Sequence, residues 1–156
     1  LLIVELQEPS DMSVLLEWRG TGVESEHVAT VGLGWERGLA AVEHDARDPA
    51  ELVLRGAGCG DGPARTSALV PVTDPFFRAE WLRPAAAPIA LEAGFSVLVV
   101  VEGEGQLVAP DGTTLPYARG DNVVIPHAAG PQAVLGGGAL LRCRPPAPDA
   151  PEVGAR

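Results

Sequence analysis

The stretch GDNVVIPH, residues 120–127, joins a Gly-Asp turn to an apolar run and ends in Pro126-His127. Glycine and aspartate favour tight turns, and a short apolar run bounded by turn residues is typical of a β-strand. Residues 102–119, EGEGQLVAPDGTTLPYAR, continue the same alternation of apolar and turn-forming segments. The stretch therefore predicts a strand that closes a small β-barrel, and it raises the question of whether His127 holds a metal.

Around this stretch, the sequence predicts an all-β domain over residues 67–145. Turn-forming triplets such as PDG (110–112), RGD (119–121) and GGG (136–138) separate most of its apolar runs. The eight runs are ALVPV (68–72), FFRAEWL (76–82), PIAL (88–91), FSVLVVVEG (95–103), GQLVA (105–109), NVVIP (122–126), QAVL (132–135) and ALLRC (139–143). Short strands at close spacing are typical of a sandwich or jelly roll. The predicted fold class is therefore mainly β, a sandwich or jelly roll with a short helical insert before it.

Side chains alternate between the two faces of a strand, so one face of each barrel strand should be apolar. The residues predicted to face inward are Val97, Val99, Val101, Val123 and Ile125. Glu102 and Glu104 are interpreted as exposed charges on a hairpin turn rather than as paired catalytic carboxylates.

The first 66 residues predict a different organisation. Two strands are predicted at residues 1–6 and 12–18, with the turn-forming QEPSD between them, followed by a surface loop over 19–32. GLGWERGLAAVEHD, residues 32–45, places its apolar residues near one helical face and predicts a helix. The remaining predictions are a second helix starting at Asp48-Pro49 and a Gly-rich connector over 55–66.

Composition excludes several classes of protein. A formal net charge of −10 argues against a nucleic-acid surface, which needs a basic stripe. No run approaches the roughly 18 apolar residues of a membrane span. Cys59 and Cys143 lie far apart with no metal-like spacing, so a reducing cytoplasm is the expected compartment. A small phosphate-bearing molecule remains compatible with the composition, because one local arginine can bind it inside an acidic protein.

Residues 95–130, FSVLVVVEGEGQLVAPDGTTLPYARGDNVVIPHAAG, resemble a cupin, with Gly120 and Pro126 matching its Gly-x5-Pro motif. Cupins usually carry His-x-His and a Glu in the first half of this pattern and a further His a few residues beyond the Pro. Here the first half contains no histidine, and His127 follows the Pro directly. A metal shell needs several converging ligands. The resemblance thus implies a cupin jelly roll without metal, and we predict that the chain holds no zinc.

Three segments together are similar to the C-terminal half of class I mannose-6-phosphate isomerases. They are residues 1–18 (LLIVELQEPSDMSVLLEW), residues 27–42 (HVATVGLGWERGLAAV) and the cupin-like stretch 95–130, which lacks the usual histidines. In that family an apolar strand leads into a Glu-x-Gln…Ser-Asp pattern, matched here by Glu5, Gln7, Ser10 and Asp11. The family resembles two cupins in tandem, of which the N-terminal one holds zinc and performs the chemistry. Its zinc ligands lie upstream of this stretch, so none maps onto the present sequence.

The resemblance implies a domain organisation for a longer parent protein. Because chains seldom begin inside a buried strand, residues 1–22 are expected to be the last strands of an upstream catalytic cupin. Residues 23–66 are then a helical insert and connector, 67–145 a metal-free cupin, and 146–156 a disordered, proline-rich tail.

The family also implies a function, the zinc-dependent isomerisation of a sugar phosphate between its aldose and ketose forms in the cytoplasm. The present chain alone is expected to be inactive, and neither nucleic acid nor a membrane is an expected partner. Two alternatives remain: a cupin that binds a sugar or regulatory ligand without turnover, and a structural prop for the first barrel.

Arg19 is the predicted catalytic residue. The family commonly places an arginine about four residues after the Ser-Asp pair, where this chain has Leu15. In a strand, Leu15 and Arg19 would share a face, so Arg19 could point into the same cavity, about 13 Å away. The predicted substrate-binding residues are Glu5, Gln7, Asp11 and Glu17.

Overall fold

The computed structural model describes residues 3–7, 13–42, 44–46, 48 and 64–147. The chain divides into two compact units, Glu8–Leu52 and a second unit made of Leu1–Gln7 with Val53–Arg156. No helix within the described ranges is long and apolar enough to cross a membrane.

The second unit is built on one antiparallel sheet that contains seven strands among the described residues. They are β1 (Arg65–Ser67), β2 (Arg78–Leu82), β3 (Ile89–Leu91), β4 (Ser96–Val108), β5 (Thr114–Ala118), β6 (Asn122–Ile125) and β7 (Gln132–Arg144). The main path through the sheet is β1-β2-β7-β4-β5, while β3 pairs with β7 and β6 pairs with β4. Short 3-10 helices at Pro71–Thr73 and His127–Ala129 connect strands.

The two 13-residue strands, β4 and β7, pair along most of their length and belong to both halves of the sheet. The start of β4 pairs with β6 and the end of β7 pairs with β2. Further along, the end of β4 pairs with β5 and the start of β7 pairs with β3. A register shift between Val100 and Glu102 interrupts the β4–β7 ladder between these halves. Bulges increase twist and bend a strand, so the sheet curls upon itself, and the predicted mainly β jelly roll is confirmed.

The core contains side chains from both halves of the curled sheet. Its buried members are Leu82, Ile89, Leu91, Leu98, Val100, Leu107, Tyr117, Ile125, Val134 and Leu140. The inward direction was predicted correctly for Ile125 and for Val123, which packs against the core. For β4 the prediction was wrong by one residue. Ser96, Leu98 and Val100 are buried, whereas Val97, Val99 and Val101 are half-buried.

Two predicted turns lie inside strands. Gly103 and Gly105, in the middle of β4, face Gly138 and Gly136 of β7 across the ladder. The predicted hairpin at EGEG is therefore wrong, although Glu102 and Glu104 are exposed as expected. The chain instead turns at residues 110–112 and 119–120, as predicted.

Two further strand predictions need correction. The ALVPV segment contains the 3-10 helix Pro71–Thr73, which has proline at its first position, instead of a strand. The sequence analysis missed β5, because TLPYA carries a proline and too few apolar residues to form a run.

The unit Glu8–Leu52 contains two short helices among its described residues, α1 (Glu26–Ala29) and α2 (Gly34–Ala40). Helix α1 begins after Ser25, whose hydroxyl accepts a hydrogen bond from the Val28 amide at 3.3 Å. It lies inside the segment predicted as a loop, so that prediction was wrong there. Helix α2 confirms the helix predicted for residues 32–45, over a shorter span. The predicted second helix and most of the tail, residues 148–156, lie outside the described residues.

The strands predicted for residues 1–6 and 12–18 are wrong where the structure describes them, over 3–7 and 13–18. A strand is stable only when a neighbouring strand satisfies its backbone, and no described strand pairs with either segment. The Leu15 amide instead donates to the carbonyl of Ala29 at the end of α1, at 2.9 Å.

Candidate functional site

Arg19 lies in a turn. The Thr21 amide and hydroxyl both donate to the Trp18 carbonyl oxygen, at 3.2 and 2.7 Å. The Arg19 guanidinium carbon stands 5.5 Å from the centre of the Trp18 ring, within the range of a cation–π contact. Because turns occupy residues 16–17 and 19–22, the shared strand face predicted for Leu15 and Arg19 is wrong.

The structure brings Arg19 and Glu17 together at one cleft of about 540 Å3. Trp18 and Trp35 also line this cleft, the latter from the first turn of α2. An arginine and a carboxylate beside two indole rings can hydrogen-bond a polar ligand and contact its apolar face. This cleft is the candidate functional site of the unit Glu8–Leu52, and Arg19 is its cationic group.

Apart from Glu17, the predicted substrate-binding residues are not among the described residues that line this cleft. Glu5 and Gln7 are exposed and belong to the unit that contains the jelly roll. Asp11 lies outside the described residues. Their predicted role stays a prediction.

His127 opens the 3-10 helix that follows β6, and it is exposed. Among the described residues, no three His, Cys, Asp or Glu side chains are close enough together to hold a metal ion. A structural or catalytic zinc needs at least three such ligands. The residues present therefore do not fit a zinc shell, and the prediction that this chain holds no zinc awaits a measurement of metal content.

The sequence analysis missed an arginine–glutamate network formed by Arg65, Glu80, Glu92, Arg142 and Arg144. Glu80 and Arg142 lie opposite each other on β2 and β7, and Arg142 also lies opposite the core residue Leu98 of β4. Paired residues share a face of the sheet. The network therefore extends the core-facing side of the sheet.

Arg142 is the buried centre of this network, with 1% of its side chain exposed. Its Nε donates to the Ser96 hydroxyl at 3.2 Å, and its Nη2 donates to the Glu92 carbonyl at 3.0 Å. Its Nη1 donates to the carboxylates of Glu80 and Glu92 at 3.1 and 3.2 Å. Arg65 donates to both carboxylates, and Arg144 donates to that of Glu92. The buried charge is thus fully paired, as a buried guanidinium requires.

The network shifts the pKa of Glu92. Burial alone would raise the pKa of this carboxyl, but the hydrogen bond from Arg65 and the charges of Arg144 and Arg142 hold it well below its usual range. In turn, the hydrogen bond to Glu92 raises the pKa of Arg65.

We therefore predict an acid-sensitive step in stability. A carboxyl whose pKa is lowered by folding stabilises the native state above its unfolded pKa, near 4.5, and this contribution is lost as the pH falls further. In urea unfolding, the stability difference between the wild type and Glu92→Gln should be largest near pH 6 and should shrink below about pH 4. A difference that is the same at both pH values would contradict the prediction.

The curled sheet, with its β4–β7 ladder and the turn at residues 119–120, forms a jelly roll of the mainly β class. No family model and no curated protein sequence matches the chain. Several solved structures do match it, and they are phosphomannose isomerases.

The apo form of mannose 6-phosphate isomerase from Salmonella typhimurium is 21% identical, with a TM-score of 0.57, over 72% of this chain and 28% of that one. A single-site mutant of the same enzyme gives a TM-score of 0.58 over the same fractions of the two chains. A zinc-bound mannose 6-phosphate isomerase matches 58% of this chain and 23% of that one at 22% identity and a TM-score of 0.48. At 21% identity the likeness to the first two structures shows the fold alone, and the chain spans only about a quarter of the length of these enzymes.

Proposed function

We propose that this chain is the C-terminal part of a mannose-6-phosphate isomerase-like enzyme that interconverts an aldose phosphate and a ketose phosphate. The observation that carries the proposal is the likeness of fold to phosphomannose isomerase, which extends over 72% of the chain. The motif resemblance in residues 1–18 and 95–130 supports the same assignment from the sequence.

The described residues of this chain do not fit a zinc site, so no step of the reaction is assigned to a metal here. Zinc, which the family resemblance implies, would be held by the part of the longer protein that carries its ligands. In this proposal the jelly roll is a metal-free cupin.

Arg19 would be the contribution of this chain to catalysis. Moving a proton between two adjacent sugar carbons builds negative charge on a sugar oxygen, and preorganised cationic donors stabilise such charge. The planar guanidinium of Arg19 can donate two parallel hydrogen bonds to that oxygen or to a phosphate. Glu17, which lines the same cleft, can accept hydrogen bonds from sugar hydroxyls.

The proposal predicts that Arg19→Ala in the full-length protein lowers mannose 6-phosphate turnover by about 30- to 1000-fold, as expected for the loss of one charge-assisted contact in a transition state. Zinc content and the unfolding midpoint should stay unchanged. Arg19→Lys should restore only part of the rate, because an ammonium lacks the bidentate fork.

A matched control is Arg37→Ala, which removes an exposed arginine of α2 that does not line the cleft. It should leave turnover unchanged. A loss below about threefold for Arg19→Ala would remove Arg19 from the active site. No turnover in the zinc-loaded full-length protein would refute the isomerase proposal itself.

A second candidate is a ligand-binding cupin without turnover, and a mostly apolar cleft of about 590 Å3 in the jelly roll favours it. Leu107, Leu115 and Ile125 contribute to its walls, while Asp111 and Gln132 are among its few polar groups. This volume suits a small ligand. An inactive full-length protein that still binds a sugar would support this alternative.

A further inference from the structure

The core-facing side of the sheet carries a second charged feature beside the arginine–glutamate network. Arg78 of β2 lies directly opposite Arg144 of β7 in the antiparallel register. Like charges at directly opposed positions destabilise a sheet. Such a pair needs a compensating anion.

Within the described part of the chain, Arg144 pairs with carboxylates, whereas Arg78 does not. Arg144 pairs with Glu92 and, at 3.8 Å, with Glu80. No carboxylate of the described residues forms an ion pair with Arg78, whose Nε and Nη2 donate to the carbonyls of Pro145 and Pro146 at 3.0 and 3.4 Å. A guanidinium has five N–H donors, so three donors of Arg78 have no acceptor among the described residues.

Both arginines open onto one cleft of about 320 Å3, the charged cleft, which Arg65, Asp74, Glu80 and Glu92 also line. The Nε of Arg144 is buried and has no hydrogen-bond partner among the described residues. A buried donor without an acceptor is costly and uncommon in native proteins. The cleft is therefore lined by Arg78, which forms no ion pair with a described carboxylate, and by Arg144, whose buried Nε has no described acceptor.

The charged side chains that line the cleft balance each other, with Arg65, Arg78 and Arg144 set against Asp74, Glu80 and Glu92. The buried Arg142 adds a further positive charge behind them through its ion pairs with Glu80 and Glu92. Burial, followed by the repulsion of Arg144, lowers the pKa of Arg78. An added anion would offset the repulsion between Arg78 and Arg144.

We propose that the charged cleft binds a phosphate group, with Arg78 and Arg144 as its donors. A phosphate presents several acceptor oxygens, and paired guanidinium groups recognise it through parallel hydrogen bonds. The site is formed by residues of the jelly roll and uses no step of the proposed reaction, so the inference does not rest on the proposed isomerase function. Its ligand is either free phosphate or a phosphate monoester.

The test is calorimetric titration of the 156-residue chain with inorganic phosphate, mannose 6-phosphate and mannose at constant low salt. We expect both phosphates to bind and mannose not to bind. Equal affinities would identify the phosphate group itself as the ligand, and tighter binding of mannose 6-phosphate would identify a phosphate monoester. Binding of mannose as strong as that of its phosphate would overturn the proposal.

The informative variant is Arg78→Gln, because Arg78 lies outside the ion pairs of the network and its loss leaves them intact. We expect phosphate affinity to fall about 10- to 100-fold, the effect of one charge-assisted hydrogen-bonding group. Arg119→Gln removes the same charge from an exposed turn and should change affinity by less than about twofold. Unchanged affinity in Arg78→Gln would overturn the assignment.

A second measurement keeps the proposal testable if the heat of binding is small. The side-chain Nε–Hε resonance of Arg144 should shift on addition of phosphate in the wild type. No shift and no heat up to about 20 mM phosphate, where even weak millimolar binding would be visible, would refute the site.

Discussion

Replacing Arg142 by alanine is expected to lower the free energy of unfolding by about 3–5 kcal/mol, the cost of breaking a buried ion pair by removing one partner. Arg142 donates to the Ser96 hydroxyl, to Glu80 and to both the carboxylate and the carbonyl of Glu92. Only 1% of its side chain is exposed, so water cannot replace these bonds. The loss should lie toward the lower end of the range, because Arg65 and Arg144 still pair with the two carboxylates.

Urea unfolding monitored by tryptophan fluorescence and by circular dichroism measures this loss. Arg119→Ala is the matched control, because it removes an exposed arginine from a turn and should change stability by less than about 0.5 kcal/mol. A double-mutant cycle with Glu80→Gln should show coupling of at least about 0.5 kcal/mol. Additive effects, or an Arg142→Met variant as stable as the wild type, would show that the pairing does not stabilise the fold.

Local sequence predicted those parts of the fold that local chemistry determines. The turn before β6 is one of them, since the Asp121 carboxylate accepts a hydrogen bond from the Ala118 amide at 2.8 Å and Gly120 has a φ of 96°. Such turn chemistry can be read from three or four residues. The inward-facing Ile125 of the strand that follows was predicted from the alternation of side chains along that strand.

The face of β4 could not be predicted in the same way. Residues 97–101 are Val, Leu, Val, Val and Val, so both faces of the strand are apolar and a period of two does not distinguish them. Which face of β4 is buried depends on its pairing with β7, in which Leu98 lies opposite Arg142 and Val97 lies opposite Cys143. A register one residue away would have satisfied the sequence pattern equally well.

The arginine–glutamate network depends on long-range pairing. Glu80 and Glu92 precede Arg142 by 62 and 50 residues. A single arginine in ALLRC gives no sign of burial, and charged residues are rarely buried unless paired. The one local signal is that this arginine interrupts an apolar run.

Near the start of the chain, the sequence pattern predicted strands that the structure does not contain. Residues 3–7 and 13–18 have the composition of strands, but a strand exists only with a partner to complete its hydrogen bonds. Arg19 was therefore placed on a strand face by pattern, whereas the structure places it in a turn beside Trp18. Glu17 was predicted to line the same cavity as Arg19, and the structure places both at one cleft.

Replacing Gly138 by alanine should destabilise the jelly roll by about 3–5 kcal/mol, the combined cost of a forced backbone conformation and of overpacking. Gly138 has a φ of 106°, which L side chains rarely adopt. A Cβ at this position would lie 2.0 Å from the Glu102 carbonyl oxygen and 2.7 Å from the Gly103 Cα. Since these are backbone atoms in the middle of β4, the two central strands would have to separate.

The neighbouring glycine provides the control. A Cβ on Gly137 would meet no atom within 4 Å, and its backbone does not require glycine. We therefore expect Gly137→Ala to change the free energy of unfolding by less than about 1 kcal/mol, since alanine also lowers the entropy of the unfolded chain. If both variants unfold at the same urea concentration, the close approach of β4 and β7 does not limit stability. If only Gly138→Ala is destabilised, glycine is required at position 138 because the two long strands must touch there.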